Sequence, residues 1–332
     1  MTSAHAFRIA SRLGLATTLL MFGLIVVGSV VRTTGSGLAC PDWPLCEGRL
    51  LPRFESHVLT EWFHRLLALL VSIMVFATVG WVLTHGPLRP RLGGLAVLAV
   101  GLLCAQILLG ALTVWKLLSP AMVSSHLAVA LLLFSTFLTL TLVARSGEPG
   151  GEPREARGGE GAGVAGAPAR PQAPAAPARA LLPTFGLATA IAYLQCLLGG
   201  LVSSHHAGLA CPDWPTCNGR WFPPLQGLVG LQMMHRWGGY LLALVTLFVA
   251  ARARSAPDPG VRAGGGMAAL LTVLQIFLGV SAVLLGLPPW VSALHLANAT
   301  AILAMLLTIT CRTALWPAPF TAAAVAPAAA AS

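Results

Sequence analysis

The sequence predicts an all-α integral membrane protein whose eight transmembrane helices form two tandem four-helix bundles. Its 332 residues are 56% hydrophobic and only 9% charged, whereas about a quarter of the residues in a soluble domain are charged. Apolar stretches of about 20 residues, long enough to cross about 30 Å of hydrocarbon as helices, occur eight times. A motif in the first half of the chain also recurs in the second half, which indicates an internal duplication.

The duplicated motif reads GLACPDWPLCEGR at residues 37–49 and GLACPDWPTCNGR at residues 208–220, which is 171 residues later. Beyond the motif, His64 matches His235 at the same offset, and His126 matches His295 at an offset of 169. Each half has an even number of spans, so both halves enter the membrane with the same orientation. This predicts a pseudo-twofold axis along the membrane normal.

The first four predicted spans cover residues 13–31, 62–84, 92–114 and 122–144, and the other four cover residues 181–202, 232–251, 266–287 and 291–311. The first span is too long for a signal-peptide core and is interpreted as a retained helix. Residues 146–180 are rich in Pro, Ala and Gly and predict a disordered linker. The predicted units are therefore an N-terminal half at 1–145, this linker, a C-terminal half at 181–312 and a tail at 313–332.

The basic residues predict which side of the membrane each loop faces. Of the 20 Lys and Arg residues, 13 lie in the N-terminal segment, in the loops at 85–91, 145–180 and 252–264, and at Arg312. Because basic residues favour the cytoplasmic side, both termini and the linker are predicted to be cytoplasmic and the cysteine loops to face outward. The net charge of +10 follows this alternation, so it indicates contact with anionic lipid rather than with nucleic acid.

Four histidines are the candidate metal ligands. His64, His126, His235 and His295 are predicted to lie at one depth, within about one turn of the starts of alternate helices. A single histidine in an apolar span is more often a packing residue or part of a proton relay. Two per half on alternate helices suit the two axial positions of a haem iron. Zinc or copper would need further ligands.

The two halves differ at one position beside these histidines. Glu61 precedes His64 by one helical turn, whereas Gln232 stands at the matching position of the second half. Glu61 could mark a hydrated helix start, but a carboxylate beside an iron ligand could also accept a proton or stabilise charge. We favour the second interpretation, which makes the first half reactive. Arg65 and Arg236, directly after the repeated histidines, could bind haem propionates or extend to lipid headgroups.

Two cysteine pairs lie in the duplicated loops. Cys40 with Cys46, and Cys211 with Cys217, can form disulfides outside the cytoplasm. Each pair could be a structural clasp or a redox pair that exchanges with thiols. The clasp is favoured for the second loop, and the two interpretations are even for the first. Gln106 and Gln275 are expected to make interhelical hydrogen bonds.

Together, the eight spans, the Glu61-Trp-Phe-His64 element, the paired histidines and the cysteine loops resemble the haem A synthase family, in its bacterial type with cysteine pairs. The resemblance implies oxidation of the C8 methyl of haem O, through a hydroxymethyl intermediate, to the formyl group of haem A used by terminal cytochrome oxidases. It implies that Glu61, His64 and His126 form the catalytic site, with the two histidines on the iron of haem O. It also implies that His235 and His295 ligate a haem b cofactor.

The absence of a transit peptide, with few basic residues at the N-terminus, favours a bacterial plasma membrane over a mitochondrion. The resemblance further implies delivery of haem O by a haem O synthase (protohaem farnesyltransferase) and a link to terminal oxidase assembly. A homo-oligomer is left open. Two other functions also remain open. A quinone-linked membrane thiol-disulfide oxidoreductase would use the cysteine pairs but leave the histidines idle, and a dihaem b electron-transfer protein would use the histidines without substrate chemistry.

Overall fold

The computed structural model describes residues 2–147 and 178–315, and within these residues the chain is helical. The eight long helices are α1 Ser3–Thr33, α2 Ser56–Thr84, α3 Arg89–Trp115, α4 Pro120–Ser146, α5 Leu182–Ser204, α6 Gly227–Ala253, α7 Pro259–Leu284 and α8 Pro289–Leu315. Each is long and apolar enough to cross a membrane. The predicted all-α membrane fold with eight spans is therefore confirmed.

The helix ends have identifiable causes. Thr2 accepts a hydrogen bond from the backbone of His5 at the start of α1, and Asp258 caps α7 by accepting from the backbone of Gly260. Prolines occupy the first turn of α3, α4, α5 and α7, where a missing N–H costs nothing. Most helices begin before the predicted apolar stretches, because the polar residues of their first turns are also helical. Helix α1 begins ten residues before its predicted span.

Three predicted boundaries need correction or fall outside the described residues. The seventh span was predicted to reach residue 287, but α7 ends at Leu284 because Gly286 and Leu287 adopt positive φ angles of 74° and 60°. Helix α8 continues to Leu315, into the predicted tail. The linker prediction for residues 148–177 and the tail from residue 316 lie outside the residues that the structure describes.

The helices within each half form a closed ring of neighbours. Helices α1 to α4 pack in order, with α1 returning to α4, and α5 to α8 do the same. Helices α1, α4, α5 and α8 also meet between the halves, through the pairs α1 with α8, α4 with α5, and α4 with α8. The relation of the two rings by a twofold axis stays a prediction.

The distribution of apolar side chains explains this arrangement. The largest fully buried side chains include Phe137 and Leu140 of α4, Phe185 of α5, and Leu306 and Ile309 of α8, all on helices at the junction of the halves. Helices α2, α3, α6 and α7 instead expose large apolar side chains, among them Phe76, Leu108, Phe248 and Phe277. Such a surface suits lipid, so the two outer helices of each half face the membrane and the junction forms the core.

Candidate functional site

A large cavity is bordered by all four candidate histidines. Its volume is about 1450 Å³, and residues of both halves line it. This exceeds the roughly 300–1,000 Å³ of a typical small-molecule pocket. Its lining also includes Glu61, Gln232, Arg65 and Arg236. The sequence-predicted site residues of both halves therefore meet in one interior space.

The histidines lie deeper in their helices than predicted. Helices α2 and α6 begin at Ser56 and Gly227, so His64 and His235 are about two turns into them, rather than about one. The reason is that each helix starts with residues that are less apolar than the predicted span. All four positions remain in the first third of their helices, as the duplication requires.

The second-half pair has a spacing suited to one metal atom. The ring centroids of His235 and His295 are 6.3 Å apart, and their planes meet at 75°. An imidazole nitrogen binds a metal at about 2 Å, so this separation leaves room for an iron atom between the rings. Among the described residues, no group of three or more His, Cys, Asp or Glu side chains could hold a metal ion. A pair of imidazoles across a large apolar cavity suits a haem.

Each histidine ring lies against a glycine of the preceding helix. A Cβ atom on these glycines would lie close to the Cε1 atom of the facing ring: 3.2 Å for Gly28 and His64, 3.3 Å for Gly110 and His126, 2.9 Å for Gly199 and His235, and 3.0 Å for Gly279 and His295. The sequence analysis missed this role. The repeat offsets carry the signal, because these glycines recur at the same 171- and 169-residue intervals as the histidines they face.

An alanine at either second-half glycine should displace the ring that it faces and weaken haem binding in that half. Overpacking of this kind costs about 1–3 kcal/mol, so Gly199→Ala and Gly279→Ala should bind haem about 5- to 150-fold more weakly. Haem bound per chain in the purified protein measures the effect. Gly186→Ala on α5 and Gly266→Ala on α7 are matched controls, because neither glycine has an atom within 4 Å of the added carbon. Equal haem content in all four variants would contradict the role.

Glutamine amides orient three of the four rings. Nε2 of Gln106 lies 3.2 Å from Nε2 of His126, and Nε2 of Gln275 lies 3.2 Å from Nε2 of His295. These contacts confirm the interhelical hydrogen bonds predicted for both glutamines. Gln195 additionally donates to Nδ1 of His235 at 3.0 Å and to its carbonyl oxygen at 2.8 Å. Gln195 could not have been found from the repeat, because the matching position in the first half is Leu24.

The second half holds its histidines more firmly than the first. Asn298 donates to the Oε1 atom of Gln275 at 2.8 Å, whereas the buried Oε1 of Gln106 has no partner among the described residues. The buried Nδ1 atom of His64 likewise has none in this part of the chain. In the second half, the buried Nδ1 of His295 and Oε1 of Gln232 also have no partner among the described residues. Since buried polar atoms are normally hydrogen-bonded, both halves leave polar groups for a ligand or water to complete.

Glu61 is buried in an ion pair. It is 5% exposed, and its Oε1 accepts from Nε of Arg65 at 2.8 Å. In the second half, Gln232 is also buried but donates to the carbonyl of Gly208 at 3.1 Å. Glu61 and Gln232 therefore differ in their contacts as well as in residue type. The first half carries a shielded carboxylate at the cavity, and the second half carries a neutral amide.

The two arginines that follow the histidines bind the cysteine loops. Arg65 donates to the carbonyl oxygens of Cys40 at 2.9 Å, Asp42 at 2.6 Å and Leu45 at 2.5 Å. Arg236 makes the same kind of contact with the carbonyls of Cys211 at 2.6 Å and Thr216 at 2.8 Å. Most of the donors of Arg65 are thus committed to protein acceptors, and its predicted propionate contact stays a prediction.

Both cysteine pairs form disulfides, Cys40–Cys46 and Cys211–Cys217. This confirms the predicted pairing, while redox activity stays a prediction. Asp42 closes the first loop by accepting from the backbone of Glu47 and Gly48. The bond from Gly48 is the largest cause that holds the pKa of Asp42 below its usual value. Because the folded pKa is lowered, this contact stabilises the loop at neutral pH and is lost only when the pH falls through that lowered pKa.

The second loop repeats this closure. Asp213 accepts from the hydroxyl of Thr216 and from the backbone of Asn218 and Gly219. The hydroxyl contact is the largest cause that lowers the pKa of Asp213. In both halves a closed, oxidised loop is therefore attached through an arginine to the helix that carries the first histidine.

Comparison with known proteins gives consistent matches. The model of the family COX15-CtaA, described as cytochrome oxidase assembly protein, matches residues 11–58 and 51–307. A heme A synthase of Symbiobacterium thermophilum is 30% identical over 80% of the chain and 82% of its own length. A heme A synthase of Methylobacterium sp. (strain 4-46) is 30% identical over 86% of the chain and 87% of its own. A third, from Halalkalibacterium halodurans, is 30% identical over 70% of the chain and 73% of its own length.

Proposed function

The chain belongs to the COX15-CtaA family of cytochrome oxidase assembly proteins, and from that premise we propose that it is a haem A synthase of a bacterial plasma membrane. It is a multi-pass membrane protein with eight spans. One structural observation supports the proposal most strongly: two matched histidine pairs, His64 with His126 and His235 with His295, border one large cavity. The names of the relatives agree with this function.

The second half is the proposed site of a resident haem b, with His235 and His295 as its axial ligands. Their 6.3 Å spacing and the facing glycines support a permanently held group. When bound, haem b would supply one-electron redox chemistry. The protein's part here is to hold both imidazoles at fixed positions.

The first half is the proposed site of the substrate, haem O, with His64 and His126 on its iron. Fewer hydrogen bonds hold these two rings, which suits a ligand that must enter and leave. Glu61 lies one turn from His64 in surroundings shielded from water. Such a carboxylate can accept a proton, or stabilise positive charge, as the C8 methyl of the substrate is oxidised to hydroxymethyl and then to a hydrated aldehyde that loses water.

Arg65 has a positioning role in this proposal. Its Nε holds one oxygen of Glu61, while its other nitrogens hold the loop closed by Cys40–Cys46. The carboxylate is therefore fixed in direction and its second oxygen stays available. The second half has no such carboxylate, so we assign the oxidation to the first half alone.

The assignment of the two haems can be tested by removing one histidine pair at a time. In a bacterium that makes haem O but not haem A, the double variant His235→Ala/His295→Ala should lose most of its haem b. The double variant His64→Ala/His126→Ala should keep haem b but lose haem O and haem A. Mass analysis of haems extracted from purified protein distinguishes these outcomes. Loss of the same haem from both variants would contradict the two-site assignment.

Two other functions have less support. A quinone-linked thiol-disulfide oxidoreductase would use the disulfides, but each is tied by an arginine to a histidine-bearing helix, and the cavity would be unexplained. A dihaem b electron-transfer protein would explain the cavity but not the carboxylate of Glu61 in its lining, where the second half has Gln232. Delivery of haem O by a haem O synthase (protohaem farnesyltransferase), a link to terminal oxidase assembly, cytoplasmic termini and outward cysteine loops are further parts of the proposal.

A further inference from the structure

Arg32 is a cation at the junction of the halves that has no carboxylate partner in the part of the chain that the structure describes. It lies at the end of α1 and borders the cavity. Its Nη2 donates to the carbonyl of Ser203 at the end of α5, at 2.7 Å. Within the described residues, no hydrogen bond from its Nε or Nη1 is found, and no carboxylate lies within ion-pair distance. A half-buried charge at the end of a transmembrane helix either extends to the membrane interface or binds a partner at a functional site.

Arg32 lies one helical turn beyond a glycine that faces a candidate histidine. Gly28 faces His64, and Arg32 follows it by one turn on the same side of α1. Gly199 faces His235, and Ser203 follows it by one turn on α5. The Arg32 to Ser203 bond therefore joins points that lie one turn beyond the histidine level in both halves. One guanidinium serves both sides of the junction, because Ser203 occupies the position in the second half that matches Arg32.

His206 is a second polar residue at this location, beside Arg32. Its Nε2 lies 3.4 Å from Nη2 of Arg32, and it also borders the cavity. Its φ angle is 56°, whereas Gly35, at the matching position of the first half, has a φ of 71°. The second half therefore has a histidine where the first half has a glycine, in a backbone conformation that costs free energy for a residue with a Cβ. This histidine places an imidazole ring beside the guanidinium of Arg32.

The charges that border the cavity favour an anion. Its lining contains Arg32, Arg49, Arg65 and Arg236 but only one carboxylate, Glu61, which is already paired with Arg65. Arg65 and Arg236 direct their nitrogens to loop carbonyls. Arg32 instead has Nε and Nη1 without a protein acceptor among the described residues, so these nitrogens can still donate a charge-assisted hydrogen bond to a carboxylate.

We propose that Arg32, with His206 beside it, is a carboxylate-binding site that anchors the propionates of the haem in the opposite half, the one held by His235 and His295. This rests on the haem b site of the proposed function. A residue of the first half then contributes to cofactor binding in the second. Removing its positive charge leaves a propionate uncompensated, which favours ferric over ferrous iron and lowers the midpoint potential.

The experiment uses the full chain with His64→Ala/His126→Ala, so that any retained haem belongs to the second half. Adding Arg32→Gln should shift the ferrous-to-ferric equilibrium on the order of tenfold toward ferric, which is about 59 mV for one electron, and should speed haem loss to apomyoglobin. Arg220→Gln, the same change at an exposed arginine of the cysteine loop, should do neither. Arg32→Ser, which installs the residue found at the matching position, should reproduce Arg32→Gln.

The outcomes separate this inference from the proposed function. If the parent chain binds no haem, the haem b site itself is refuted. If it binds haem, and Arg32→Gln and Arg32→Ser match Arg220→Gln in potential and in haem loss, Arg32 holds no propionate and its partner is a lipid headgroup or another anion. Should Arg32→Gln fail to accumulate, Arg32→Ser with the same two readouts decides between these results.

Discussion

Replacing Glu61 by glutamine should reduce formation of haem A by at least about 100-fold, the scale expected for loss of a positioned proton-transfer group. The change keeps the size and the polar character of the side chain but removes the negative charge, and with it the ion pair to Arg65. It also reproduces the residue that the second half carries at Gln232. Because the histidines and their glycines are untouched, both haems should still bind. Haem O or its hydroxymethyl derivative should accumulate on the protein, as measured by mass analysis of extracted haems.

The matched control for this prediction is Glu55→Gln. Glu55 is an exposed carboxylate next to the start of α2, paired with Arg53 across 3.6 Å, and it does not border the cavity. The control should form haem A at the rate of the unaltered chain. If Glu61→Gln produced haem A at the control's rate, the carboxylate of Glu61 would have no role in the reaction.

Replacing Arg65 by glutamine should have the second largest effect, because it breaks an ion pair and a loop attachment together. The side chains of Arg65 and Glu61 are 13% and 7% exposed, and removing one partner of a buried pair costs about 3–5 kcal/mol. The same change frees the carbonyls of the Cys40–Cys46 loop. We expect a lower unfolding temperature in detergent and a loss of haem A formation of about tenfold or more.

Arg236→Gln is the internal control for Arg65→Gln. It removes the corresponding attachment of the Cys211–Cys217 loop, but Gln232 replaces the carboxylate there, so no ion pair is broken. Its cost should be only the roughly 1–3 kcal/mol of unsatisfied hydrogen bonds, with a smaller loss of product. If both variants lost equal stability and equal activity, the Glu61 to Arg65 pair would have no special role in the first half.

Much of the fold could be predicted because the membrane simplifies the problem. Apolar length alone predicts the helices, and the duplication shows which histidines belong together. The ends of the helices were harder to predict from the sequence. Helix α1 begins at Ser3 because a capped polar turn continues an apolar helix, and α7 stops at Leu284 because the following backbone adopts positive φ angles.

The residues of the candidate site likewise include some that could be predicted from the sequence and some that could not. Residues that repeat, such as His126 and His295 or Gly110 and Gly279, carry a signal in their spacing. Residues whose contacts arise from tertiary packing carry none. Arg65 reaches loop carbonyls more than 20 positions earlier in the chain, and Arg32 reaches Ser203 in the other half. Neither contact follows from periodicity, because each depends on how separate helices and loops meet.

Haem analysis of the unaltered chain tests the central claim most directly. The chain would be expressed in a bacterium that produces haem O and lacks haem A, and haems extracted from its membranes would be separated and weighed by mass spectrometry. We expect haem A to appear only when the chain is present. A well-expressed protein that carries haem, in membranes that contain only haem B and haem O, would contradict its function as a haem A synthase.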